Sequence, residues 1–157
     1  MNSFNKATDK FSGKVAVVAA RFNQEVTDKL LSGCVDRLSE AGLSKDKVVV
    51  YRVPGAFEIP LIAKALLEQG VKGVVALGAV IRGDTTHYDY VCASVERGCT
   101  ELQLNYGKPV VFGVLTTENE EQAFDRVGGS HGHKGRDAAD TLIEMIELLT
   151  QINPKES

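Results

Sequence analysis

Between Gly78 and Tyr90 the chain reads Gly-Ala-Val-Ile-Arg-Gly-Asp-Thr-Thr-His-Tyr-Asp-Tyr. An apolar run from Gly73 to Ile81 stops in a small polar loop, and a helical pattern opens at once with His87 in its first turn. Open α/β sheets take their ligands where the carboxyl end of a parallel strand faces the amino end of a helix. Free backbone N–H groups and the helix dipole favour an anion there. An imidazole beside that anion titrates near physiological pH and can both take and give a proton. One loop thus offers a phosphate site, at Asp84 and Thr85, and a proton-transfer group, at His87. The plainer reading makes Gly83-Asp84-Thr85 an ordinary turn with Asp84 as helix N-cap, and His87 a structural cap.

Three further segments follow apolar runs. Arg21-Phe22-Asn23 comes after the first, Pro54-Gly55-Ala56-Phe57-Glu58 after the second, and the fourth contains Phe112 and leads into Thr116-Thr117-Glu118-Asn119. If the runs are parallel strands, these loops share one edge, and aromatics, a carboxylate, a phosphate-type loop and a histidine converge there. Such a set suits a flat aromatic ligand with polar arms, together with a phosphate. Taken singly, Phe22 also reads as a core plug beneath the first helix, and Glu58 as an acid in a helix first turn. The stretch Gly128 to Arg136 is rich in glycine and basic residues. Its spacing is not that of a Walker loop, and His131-x-His133 lacks a nearby third metal ligand. Arg126 and Lys134 are candidate anion ligands, Arg126 ahead because a guanidinium grips phosphate at two points. A solvated basic loop is the alternative.

The elements that must position these groups follow from periodicity. Valine-rich runs at Val15–Ala20, Val48–Val53, Val74–Ile81 and Val110–Leu115 do not alternate with polar residues, as expected of strands buried on both faces. Helical spacing joins Thr27, Leu30, Leu31, Cys34, Val35 and Leu38, with Gly42 as the stop. A second helix runs from Ile59 to Gln69, with Pro60 in its first turn and Gly70 after it. A third carries Tyr88, Val91, Cys92, Val95, Cys99 and Leu102. A short one spans Glu120 to Val127, with Thr117-x-x-Glu120 read as a capping box, and the last carries Ala139, Leu142, Ile143, Ile146 and Leu149. The order β-α-β-α-β-α-β-α-α predicts an α/β fold: a four-stranded parallel sheet between two helical layers, with flavodoxin-like topology.

The 157 residues suffice for one domain with a substantial core. We expect residues 14–153 to form it and residues 1–13 to be a polar arm. A net charge of −3 without a basic run speaks against nucleic-acid binding. Neither a membrane span nor the apolar centre of a signal peptide is visible, so a cytoplasmic protein is expected. Cys34, Cys92 and Cys99 form no Cys-x-x-Cys pair and read as buried small hydrophobes.

Four separated segments, Arg21–Asn23, Val53–Pro60, Gly78–Tyr90 and Phe112–Asn119, closely resemble lumazine synthases, in the same order and across essentially the whole domain. This resemblance implies condensation of 5-amino-6-ribitylamino-uracil with 3,4-dihydroxy-2-butanone 4-phosphate to 6,7-dimethyl-8-ribityllumazine in riboflavin biosynthesis, without metal or organic cofactor. It implies that Phe22 stacks on the pyrimidine and that Ala56, Phe57 and Glu58 hold the ribityl chain. Ala79, Val80 and Ile81 line the ring pocket, Asp84 and Thr85 bind phosphate, and His87 transfers protons. Phe112, Lys134 and Arg126 are implied to come from the adjacent subunit, Phe112 and Lys134 to the pyrimidine–ribityl pocket and Arg126 to phosphate. Assembly into pentamers, decamers or 60-chain shells is implied too, the short Gly128–His133 loop resembling shell-forming members. Two positions depart from the pattern: His133 stands where asparagine is expected, and Asp84 puts a carboxylate in the phosphate loop. A signalling receiver module would need an acidic cluster where Arg21-Phe22-Asn23 stands. A non-catalytic flavin carrier on the same fold, or a riboflavin synthase built on it, would differ in turnover: the first makes no product, the second consumes lumazine alone.

Overall fold

The computed structural model describes residues 12–154. The N-terminal arm expected at residues 1–13 therefore lies almost wholly outside the described residues. The chain order is β1 (Val15–Ala20), α1 (Gln24–Glu40), β2 (Val48–Val53), α2 (Ile59–Glu68), β3 (Val74–Ile81), α3 (His87–Tyr106), β4 (Val110–Thr117), α4 (Glu120–Asp125), β5 (Val127–Gly129), β6 (Gly132–His133) and α5 (Lys134–Ile152). Strands β1 to β4 form a parallel sheet in the order β2-β1-β3-β4, with Val15 opposite Val48 and Ala16 opposite Val74. With helices on both faces this is the three-layer, flavodoxin-like arrangement expected.

The central strand explains why its sequence does not alternate. Val15, Val17 and Ala19 point to one face, into a core with Leu30, Cys34 and Leu38 of α1 and Leu142, Ile143 and Ile146 of α5. Ala16, Val18 and Ala20 point to the other, among Ile59, Ala63 and Leu67 of α2 and Val95, Cys99 and Leu102 of α3. Both faces are dry, so every position must be apolar. Burial pushes the Cys34 thiol up to about 12 and Cys99 to about 11, which leaves both inert. Cys92 is only half-buried.

Helix α1 ends as its sequence indicates. Gly42 takes φ +106°, the Gly42 N–H donates to the Ser39 carbonyl, and the Leu43 N–H donates to the Leu38 carbonyl, the paired bonds of a Schellman stop. Other termini differ from expectation. Thr117 is the last residue of β4 and not a cap: its hydroxyl donates to the Asn119 carbonyl, while Asn119 Oδ1 caps α4 by accepting from the Gln122 N–H. Asn119 was masked by the stronger Thr-x-x-Glu pattern. Val127, expected as the end of the short helix, has left α4 and opens an antiparallel hairpin with β6, where a glycine-rich loop was expected from Gly128. The last helix begins at Lys134, a turn before its first apolar marker, because its opening residues are charged or small.

Candidate active site

The loops after β1, β2 and β3 meet at the carboxyl edge of the sheet. The Arg21 N–H donates to the Val53 carbonyl (2.7 Å) and the Phe22 N–H to that of Pro54 (3.0 Å), so the first two loops lie side by side. Asn23 holds a left-handed conformation (φ 58°, ψ 51°), and its amide Nδ2 donates to the Ala79 carbonyl at 2.8 Å, tying the first loop to β3. Arg52 of β2 reaches across the same edge and donates to the Ala19 and Ala20 carbonyls (3.2 and 3.0 Å), and also pairs with Asp28. Its side chain thereby ties the ends of β1 and β2 together. Neither Asn23 nor Arg52 is prominent in the sequence; asparagine's tolerance of positive φ is the one signal that could have marked Asn23.

Phe22 and Phe57 flank this edge, 69% and 59% exposed. That exposure removes the core-plug reading of Phe22. Ala56 is buried, in a 3-10 turn over Ala56–Glu58 that leads into α2. Glu58 is exposed, and its Oε1 accepts from the Gly55 N–H at 2.9 Å, so the carboxylate closes the turn while standing at the rim. Ala79 is buried, whereas Val80 and Ile81 are half-buried where β3 ends.

Asp84, Thr85 and His87 are exposed. His87 is the first residue of α3, and its N–H donates to Thr85 Oγ1 at 3.3 Å. Asp84 is not the N-cap; Thr86 holds that position, without a side-chain cap bond. The Asp89 and Tyr90 N–H groups of the first turn donate to the Thr86 carbonyl (3.0 and 3.4 Å), and the exposed loop of small residues, Gly83 to Thr86, leads into them. Arg82, not singled out by spacing, lies at the loop's base. Its Nε donates to Glu118 Oε2 (2.9 Å), its Nη2 to Asp89 Oδ1 (3.2 Å), and its guanidinium sits 4.5 Å from the Tyr88 ring centre.

Phe112 and Lys134 are not brought to this edge. Phe112 pairs with Ala76, five rungs before the Ile81–Thr117 rung, roughly 16 Å back along the strand. Both residues instead line a groove of about 350 Å³ on the outer flank of β4, between α3 and α5, shared with Glu96, Gln103, Asp137 and Met145. Arg126, half-buried at the end of α4, turns its Nη1 back to the Gln122 carbonyl at 2.8 Å. Its own carbonyl accepts from the Lys134 N–H at 2.7 Å, so the β5–β6 hairpin joins the two cations. Between them His133 caps α5: its Nδ1 accepts from the Arg136 N–H at 3.3 Å. Burial foremost, then the Arg136 charge, holds its pKa below the ordinary imidazole value. His131 Nδ1 meets Ser130 Oγ instead (3.1 Å), so the two histidines serve separate local contacts.

The family described as 6,7-dimethyl-8-ribityllumazine synthase matches residues 12–150. A protein of that name from Bdellovibrio bacteriovorus is 57% identical over 139 residues, 88% of this chain and 76% of the relative. One from Coxiella burnetii is 50% identical over 142 residues, 90% and 94% of the two chains. One from Cytophaga hutchinsonii is 43% identical over 155 residues, 93% and 98%. A match across nearly the whole length, on a fold whose strand ends gather these groups, places the chain in the 6,7-dimethyl-8-ribityllumazine synthase family.

Proposed function

We propose that this chain is an enzyme of riboflavin biosynthesis, a transferase that condenses 5-amino-6-ribitylamino-uracil with 3,4-dihydroxy-2-butanone 4-phosphate to 6,7-dimethyl-8-ribityllumazine, inorganic phosphate and two waters. The observation that carries this is the convergence of Phe22, Phe57, Glu58 and His87 on one sheet edge, around an exposed helix N-terminus, in a member of this family. The exposed Phe22 ring is free to stack on the pyrimidine, and Ala79, Val80 and Ile81 present backbone groups to it. Ala56, Phe57 and Glu58 hold the ribityl chain. Phosphate lies on the N–H groups around Asp84 and Thr85, the Asp84 carboxylate turned away.

Chemistry proceeds by attack of the pyrimidine amine on the ketone, loss of water to an imine, elimination of phosphate, and ring closure with loss of the second water. Each step moves a proton, and His87 at the loop's end both accepts and returns it. Holding two substrates in register supplies the larger share, for which effective molarity is worth roughly 7–11 kcal/mol. Arg126 stabilises the departing phosphate. The position of Phe112 and Lys134 on the outer flank of β4, roughly 16 Å from the edge, supports their serving a neighbouring subunit's pocket, with Arg126 beside them through the hairpin. The working unit on this reading is a pentamer or a multiple of it, in the cytoplasm, with residues 14–153 as the single domain. Mixing the purified protein with both substrates is expected to yield the lumazine chromophore and one phosphate per turnover. Tight binding of riboflavin with no product would instead identify a carrier.

A further inference from the structure

Between β3 and α3 lie Arg82 and then four consecutive exposed residues, Gly83 to Thr86. Their recorded side-chain bond is the local one from the His87 N–H to Thr85 Oγ1. Such a segment does not by itself fix where a helix begins. Both of its ends are nevertheless tied to one residue. The Arg82 N–H continues the β3–β4 ladder by donating to the Thr117 carbonyl at 2.8 Å, which holds the Arg82 backbone to the sheet. Its side chain then passes over the loop to the far end. Nη2 holds Asp89, two residues beyond His87, the guanidinium plane covers the Tyr88 ring at 4.5 Å, and Nε holds Glu118 just after β4.

We propose that Arg82 is a positioning residue: a single guanidinium closes the Gly83–Thr86 loop into a ring and so sets the place and direction of His87 and of the α3 N-terminus. The inference deepens the lumazine synthase reading and rests on it. Arg82 Nε and Nη2 are turned to Glu118 and Asp89, and the role proposed for it is to hold the loop rather than to bind the phosphate. Lysine cannot replace it: a point-charge ammonium lacks the planar fork that meets two carboxylates while stacking on a ring. Each ion pair alone is exposed and screened; the hold comes from three contacts made by one rigid group.

The test uses the assembled protein. In Arg82→Gln, amide hydrogen exchange in the peptide covering residues 83–91 is expected to quicken about tenfold or more, with β1 and β3 unchanged. The Km for the four-carbon phosphate is expected to rise about tenfold and kcat to fall about tenfold, with the Km for the pyrimidine within about twofold. Arg82→Lys is expected to recover only part of both effects. Adding Asp89→Asn and Glu118→Gln to Arg82→Gln separates position from charge. Continued impairment supports positioning, whereas restored kinetics would mean that Arg82 merely masks two carboxylates, and would overturn it. Unchanged exchange in Arg82→Gln also overturns it. Exchange is read without substrate, so it decides the clamp even if the wild-type protein fails to turn over the two substrates, a result that would count against the reaction instead.

Discussion

At the scale of the residue, the proposed site divides into groups assigned to present a surface and groups assigned to react. Phe22 and Phe57 leave most of their area in solvent, an arrangement that costs stability and is expected of a ring platform. His87 stands at the first position of a helix, where its proton can be exchanged without disturbing any intrahelical bond. Replacing it by alanine is expected to lower kcat about ten- to a few hundred-fold, with the Km for the pyrimidine little changed; an unaltered kcat removes His87 from the mechanism. For the phosphate role proposed for Arg126, the fork is expected to matter as well as the charge. Loss of a charge-assisted phosphate pair, about 1.5–3 kcal/mol, translates Arg126→Ala into a roughly ten- to hundredfold fall in kcat/Km, with Arg126→Lys intermediate. A phosphate or sulfate bound far from Arg126 in a crystal would refute that placement. The types and order of these residues were legible in the sequence, because strand ends punctuate it sharply. Arg82 and Asn23 were not, since their roles arise from partners in distant segments, Glu118 at 36 and Ala79 at 56 residues' separation.

Elements carry the next level of constraint. Helix α5 is capped by His133, whose imidazole is clasped between two helices: a Cβ on Gly33 of α1 would collide with Cε1 of this ring, and one on Gly135 with the Leu30 carbonyl. Only neutral imidazole can accept the Arg136 N–H, since the protonated ring has two donors and no acceptor. The groups around it are Arg136 and Asp137 on its own helix and Lys29 on α1, and the two cations oppose protonation. The sign follows. With the folded pKa below the unfolded value of about 6.5, stability is complete above that pH. As pH falls the unfolded chain takes its proton first, and stability is lost until the folded value is passed. Wild-type protein is therefore expected to unfold at a lower temperature at pH 5.5 than at pH 8. His133→Asn, which keeps an uncharged cap acceptor, should show a smaller difference between the two; equal differences would exclude His133 as the source. Boundaries of β1, β2 and β3 matched expectation residue for residue, because polar loops mark both ends of each run, but β2 is an edge strand with Val50 and Tyr51 exposed and is not buried on both faces as expected. The β5–β6 hairpin was not legible, since three residues paired with two carry no alternation to detect.

For the molecule as a whole, the split site is the deciding feature. Groups at the carboxyl edge and groups on the β4 flank cannot meet within one chain, so on the proposed reading each pocket needs two subunits. A contact that joins one chain's edge to another's flank is heterologous, and closes only as a ring. Sedimentation or mass photometry of active protein is expected to give a pentamer, about 85 kDa from chains of 16.9 kDa, or a multiple of it up to about 1.0 MDa for sixty. Activity in any species smaller than a pentamer would overturn the shared pocket. An active pentamer or decamer would overturn only the shell.

The strand order also sets a timetable. β1 is made first yet lies inside the sheet, between β2 and β3. Its hydrophobic length therefore waits for the ribosome to reach Ile81 before both flanks exist, roughly 3–12 s at about 5–20 residues per second. Throughout that interval the nascent chain holds a sticky, half-paired segment, and no fragment ending before β3 can complete it. Any need for chaperones is therefore expected to fall during synthesis rather than after release, a consequence of placing the first strand inside the sheet.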